Sequence, residues 1–228
     1  VKSVLILLIS LVFSAGAHAN EKLTYSLKVM GADFGTATVY TGSQKILAGM
    51  KANEKWASIY NVDNKIASVT NSRGAPRKTE YTYSVNGKAG HREITFGNQK
   101  IRVKKSKGNR VYKSGKSVHD PITWLIRVRA KLSEGAVGEL TFDVFSGARF
   151  YTVLCYPLPV QTINTALGEK LAQPYLVKVT RKGGGFKREM TMWFNLDSKT
   201  ASFEPLRAVG KFKLGHAEAN LVSIEVSN

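Results

Sequence analysis

The chain has 228 residues, with 34 Lys and Arg against 16 Asp and Glu, a formal net charge of +18. Hydrophobic residues make up 43% and charged residues 22%, ordinary globular usage that excludes a disordered polycation. The single cysteine excludes an internal disulfide framework and a cysteine-based zinc finger.

Residues 1–19 read as a secretory signal peptide. Lys2 supplies the positive start, Val4 to Phe13 an apolar core, and Ala17-His18-Ala19 the small-x-small pattern of a cleavage site. The apolar run is shorter than the roughly 20 residues that a membrane-spanning helix needs. Cleavage after Ala19 is therefore expected. It leaves a mature chain from Asn20 with a charge of +17, Lys2 being lost, and no transmembrane segment. The expected location is the periplasm.

From Asn20 onward, strand signals dominate. Leu23, Tyr25, Leu27 and Val29 alternate with polar neighbours, as a half-buried strand does. Gly31-Ala32-Asp33 marks a turn into a second strand over 34–40, an opening hairpin. Residues 45–52 and 57–69 read as extended, with a turn or short helical bend at 53–55. Residues 71–76 form a loop and 78–85 alternate again. Asn86-Gly87 is a tight-turn signal, because both central positions of the favoured hairpin turn need positive φ. Further strands are expected at 91–96, 100–105, 139–145, 149–156, 175–181, 187–195, 207–214 and 219–226. Three prolines make 157–174 a loop or a poor short helix.

One segment reads as a helix, near 120–132. Asp120 is a good N-cap and Pro121 suits the first turn. Ile122, Leu125 and Ile126 recur at helical spacing, and Gly135 is placed to stop it. About a dozen short strands with one helix predict an all-β fold, an antiparallel barrel-like or sandwich architecture. With no repeat and no linker, 20–228 is expected to be a single domain.

The charge is uneven. Residues 71–116 hold thirteen Lys or Arg and two acids, Glu80 and Glu93. Within Lys100-Ile101-Arg102-Val103-Lys104 cations alternate with apolar residues, so a strand puts Lys100, Arg102 and Lys104 on one face. Together with Lys105 and Lys107 they are expected to share a surface that attracts anionic ligands.

Several segments, in order, resemble the exported bacterial family known as domain of unknown function 3108. They include Leu23 to Leu27 with Gly31 to Val39, Ile59 to Lys65 with Ser68, and Glu93-Ile94-Thr95-Phe96 followed by Asp120-Pro121. Leu140 to Tyr151, Pro205-Leu206-Arg207 and Leu221-Val222-Ser223 complete the set. The resemblance implies an antiparallel β fold in the periplasm. It implies no established activity and brings no catalytic residues.

The remaining chemistry has simpler readings. Asp63 and Asp143 are a possible acid–base pair that nothing in the sequence brings together. His119-Asp120 suggests a metal or a relay, but an N-cap explains Asp120 with less. His91, His119 and His216 are dispersed, and no Gly-x-Ser-x-Gly elbow is present. Cys155 lies in an apolar strand and reads as a buried thiol. Gly183-Gly184-Gly185 lacks the Gly-Lys-Ser/Thr of a phosphate loop and reads as a hairpin tip. No metal site and no cofactor is expected. Charge of this kind suits nucleic acid, but an export signal argues against it. Anionic lipid, lipopolysaccharide or an acidic glycan are the expected partners, bound without catalysis, with the β interior available to an acyl group. The alternatives are an envelope hydrolase with a dispersed Ser/His/Asp site and a structural partner in an envelope complex.

Overall fold

The computed structural model describes residues 20–106, 108–115, 117–196, 203–212 and 215–226. The expected signal peptide at 1–19, and Lys107, lie outside the described residues. The chain runs β1 (Glu21–Val29), β2 (Ala32–Thr41), β3 (Lys45–Ala52), α1 (Glu54–Ala57), β4 (Val62–Thr70) and β5 (Pro76–Val85). It continues with β6 (Lys88–Gly97), β7 (Lys100–Lys105), β8 (Gly108–Lys113), β9 (Val118–His119), α2 (Thr123–Ser133) and β10 (Leu140–Ser146). Then come β11 (Arg149–Pro157), β12 (Gln161–Thr165), β13 (Gly168–Arg181), β14 (Lys187–Asn195), β15 (Pro205–Phe212) and β16 (Gly215–Val226).

The described strands form one sheet. Its order is β8-β7-β6-β5-β4-β3-β2-β1-β16-β15-β14-β13-β11-β10-β9, with β12 paired to β13 off that path. The all-β expectation holds, with sixteen described strands where about a dozen were expected. Alternation decides the inward face: Leu23, Tyr25 and Leu27 are buried while their neighbours are half-exposed. Asn86 and Gly87 have φ of 49° and 73°, the left-handed pair that the hairpin turn requires. Gly35 meets a different demand, since a Cβ there would lie 2.1 Å from the Lys51 carbonyl oxygen of β3.

The sheet coils until its two ends meet. Tyr112 of β8 and Phe145 of β10 have ring centroids 5.2 Å apart, although β8 is hydrogen-bonded to neither β9 nor β10. The barrel is thus closed at this seam by side chains instead of a ladder.

Helix α2 packs on the concave face. Asp120 caps it as expected: its Oδ1 accepts from the backbone N–H groups of Ile122 at 2.7 Å and Thr123 at 2.8 Å. The Asp120 N–H donates back to Thr123 Oγ1 at 3.0 Å. At the other end Gly135 has φ 81°. The N–H groups of Ala136 and Gly135 bond to the carbonyls of Lys131 and Leu132, the double closure that satisfies the last turn. The buried side carries Trp124, Leu125, Val128, Arg129 and Leu132. Each buried apolar side chain of this kind stabilises by roughly 1.5–3 kcal/mol.

Two polar anchors fix the helix. Arg129 reaches Glu21 of β1, with Nη1–Oε2 at 3.0 Å and Nη2–Oε1 at 3.4 Å, and both side chains are about 1–2% exposed. At the opposite end Asp120 Oδ2 accepts from Ser68 of β4, and from Thr79 of β5 at 2.6 Å. Glu21, Ser68, Thr79 and Asp120 are all buried.

Two expectations are corrected. Residues 157–174 are not a loop: β12 and the first half of β13 make a hairpin there. Pro174 is tolerated in β13 because β12 pairs with that edge only up to Ala172 and β11 only from Tyr175. Its missing N–H falls between the two ladders. Residues 57–61 are not extended, because the Asn53 side chain accepts from Trp56 N at 3.0 Å and starts α1. The α2 side chains share one packed cluster with the inward residues of the strands. Among the described residues no helix is long and apolar enough to cross a membrane.

Candidate anion-binding site

Strand β7 alternates as its sequence demands. Ile101 and Val103 are 1% exposed, while Lys100, Arg102 and Lys104 stand exposed on the outer face. The ladders set Lys100 between Gly97 and Lys113, Arg102 between Thr95 and Val111, and Lys104 between Glu93 and Asn109. The two acids of the segment are already engaged. Lys78 Nζ lies 2.7 Å from Glu80 and 2.9 Å from Glu93, and this hydrogen bond holds the Glu80 carboxyl below its ordinary range. Among the described residues Lys100, Arg102 and Lys104 form no ion pair. Cations on a strand next to a sheet edge also deter pairing with another chain, which is the plainest role for such a row.

Lys105 does not belong to that surface. One position further along β7, it lies on the opposite face, across from Arg92 of β6 and Gly108 of β8. Arg110 lies on that same inner side, opposite Val103. Burial, and then Arg92 and Arg110, push the Lys105 ammonium below its ordinary pKa. The expected five-residue surface therefore loses Lys105, which faces away because adjacent strand positions alternate; Lys107 lies outside the described residues.

A second basic feature was not legible in the sequence. Where the β4–β5 loop, the β6–β7 turn and the β8–β9 link converge, there is a cleft of about 780 Å³. Arg73, Arg77 and Arg127 line it, with His119, Phe96 and Ile101, and among the described residues no carboxylate does. The loop is shaped by Asn71, whose Oδ1 accepts from the N–H groups of Arg73 at 2.9 Å and Ala75 at 3.0 Å. A register shift in the β4–β5 ladder, where Val69 faces Lys78 but Thr70 faces Pro76, leaves Arg77 as the extra, exposed residue at the start of β5. Arg127 is shared with Glu134 at 3.4 Å. Arg73 and Arg77 form no ion pair among the described residues.

His119 sits at the end of β9, its ring edge-on to Phe142 at 5.8 Å. Its Nδ1 is enclosed without a hydrogen-bond partner. Burial lowers its pKa; Arg127 adds to the effect, and Asp120 and Asp143 oppose it. There is no His119–Asp120 relay, because the Asp120 oxygens are taken by Ser68, Thr79 and two backbone amides.

The other sequence candidates are dispersed. Asp143 pairs with Lys182 at 2.7 Å, while Asp63 lies on β4, not a neighbour of β10. His91 and His216 lie on separate strands, β6 and β16. Burial pushes the Cys155 thiol up to about 12, which suits an inert core residue.

Residues 24–222 match the family described as Protein of unknown function (DUF3108). No curated protein matches the chain. Among solved structures, it is similar to a β-barrel-like protein of domain of unknown function DUF1849 from Brucella abortus. Identity there is 11%, covering 92% of this chain and 98% of that one, with a TM-score of 0.60. The hypothetical lipoprotein YmcC from Escherichia coli is also matched, at 11% identity, 91% and 87% coverage and a TM-score of 0.36. The fold likeness rests on the first.

Proposed function

The chain belongs to the family of Protein of unknown function (DUF3108), and from that premise we propose an exported, non-catalytic protein of the bacterial envelope. It binds anionic, phosphate-bearing amphiphiles through Lys100, Arg102 and Lys104. One observation carries this reading: three outward cations on one strand have no acidic partner among the described residues, while the nearby Glu80 and Glu93 are both held by Lys78. The signal-like segment at 1–19 supports export, and phosphate headgroups are the abundant anions of an envelope.

The test is co-sedimentation of the mature chain with phosphatidylglycerol vesicles, with lipopolysaccharide and with neutral phosphatidylcholine vesicles. Each cation near an anionic surface contributes about a fivefold factor, so Lys100→Gln/Arg102→Gln/Lys104→Gln should weaken binding about a hundredfold at low salt. Binding should also fall as salt shortens the Debye length below about 8 Å. Equal binding by wild type and triple variant overturns the reading and leaves the row its edge-protecting role.

A further inference from the structure

We propose that the cleft at the β8–β9 seam is a separate site for a single phosphoryl group, gripped by Arg73 and Arg77. It does not rest on docking through β7, because its cations come from other elements.

Lys78 holds two carboxylates and Arg127 one. Arg73 and Arg77 have no such partner among the described residues, and they line one cavity with Arg127. Two guanidinium groups without an acidic partner among the described residues, beside a third shared with Glu134, suit an anion of more than one charge. A phosphate monoester meets that need, and its oxygens match the planar forks of arginine.

The apolar lining adds to this. Phe96, Ile101 and Val118 form an apolar part of the wall. Low-dielectric walls concentrate the field of the cations and strengthen each charge-assisted hydrogen bond. The volume of about 780 Å³ falls in the range of small-molecule sites, ~300–1,000 Å³. It leaves room for the body of an ester beside its phosphate.

His119 reports on the site. It faces Asp120 on the link before α2, Arg127 on α2 and Asp143 on β10, and shares the cleft with Arg73 and Arg77. Burial keeps it neutral at pH 7. A bound dianion favours the imidazolium, so occupancy raises the His119 pKa.

The experiment is a titration of the mature chain followed by ¹H–¹⁵N NMR of the histidine rings. The probes are inorganic phosphate, glycerol 3-phosphate, dihexanoyl phosphatidic acid below its micelle concentration, and acetate. Phosphate-bearing probes should raise the His119 pKa and leave His91 and His216, which lie outside the cleft, unmoved. Arg73→Gln/Arg77→Gln should weaken binding at least tenfold per arginine, the strength of one charge-assisted hydrogen bond. It should leave the melting temperature unchanged, as both residues are exposed. Lys100→Gln/Arg102→Gln/Lys104→Gln should bind these probes as wild type does. Equal affinity for inorganic phosphate and the short-chain lipid identifies free phosphate as sufficient; a preference for the lipid identifies a headgroup with its glycerol in the cleft. Three results overturn the proposal: an unmoved His119, acetate acting as strongly as phosphate, or the β7 triple variant losing as much binding as the arginine double variant.

Discussion

Replacing Asp120 should be among the costliest changes to the fold. Its carboxylate accepts four hydrogen bonds, from the Ser68 and Thr79 hydroxyls and the N–H groups of Ile122 and Thr123. In Asp120→Ala the two amides at the helix start are orphaned in a dry interior, at about 1–3 kcal/mol each. The hydroxyls fare better, because Ser68 and Thr79 lie 3.3 Å apart and can bond to each other. The total is about 4 kcal/mol, well above the ~1 kcal/mol of an exposed N-cap. For a chain of this size that corresponds to a fall of about 8–16 °C in melting temperature. Asp120→Asn keeps an oxygen for both amides and asks only that the hydroxyls turn to accept, so its loss should be about 1–2 kcal/mol. Thermal and urea unfolding of the mature chain, followed by circular dichroism, measure both. Equal losses below about 1 kcal/mol for Ala and Asn would refute the anchoring role.

The core supplies two more expected outcomes. Glu21→Ala strips a buried carboxylate from Arg129 and should cost about 3–5 kcal/mol; an unchanged urea midpoint would contradict the anchoring role of the pair. Cys155, buried with its thiol pushed up to about 12, should react with a thiol reagent only as fast as the protein unfolds, and faster labelling of the native protein would contradict its burial.

The elements that the sequence announced are those whose two faces differ. Leu23, Tyr25 and Leu27 had polar neighbours, Asn86-Gly87 had turn chemistry, and Asp120 had a helix to cap. β8 announced nothing: Asn109, Arg110 and Val111 are all exposed, and a strand at the seam has no buried stripe to show. The β12 hairpin was hidden by prolines whose harmlessness depends on where two ladders hand over. In the basic segment, charge density alone placed Lys105 beside Lys104, although alternation sends them to opposite faces. The cleft was out of reach for another reason. Its arginines and His119 are 4 to 54 residues apart in the chain, and only the coiling of the sheet collects them.

The position of the seam sets how the chain can fold. β1 and β16 are paired in mid-sheet, with Glu21 opposite Val226, whereas the sheet's two edges, β8 and β9, are joined by the short 114–117 link. Within β1–β8 and within β9–β16, ladders join strands that are close in sequence; β1–β16 is the one ladder across the halves among the described residues. Two blocks can therefore form from local hairpins, and the slow step is the closure of one distant ladder, where loop entropy is spent before contacts repay it. A circular permutant joined from Val226 to Glu21 and opened in the 114–117 link would have its strands in nearly the same order along the chain as across the sheet. The distant closure would vanish, and the barrel would become a meander from one edge to the other.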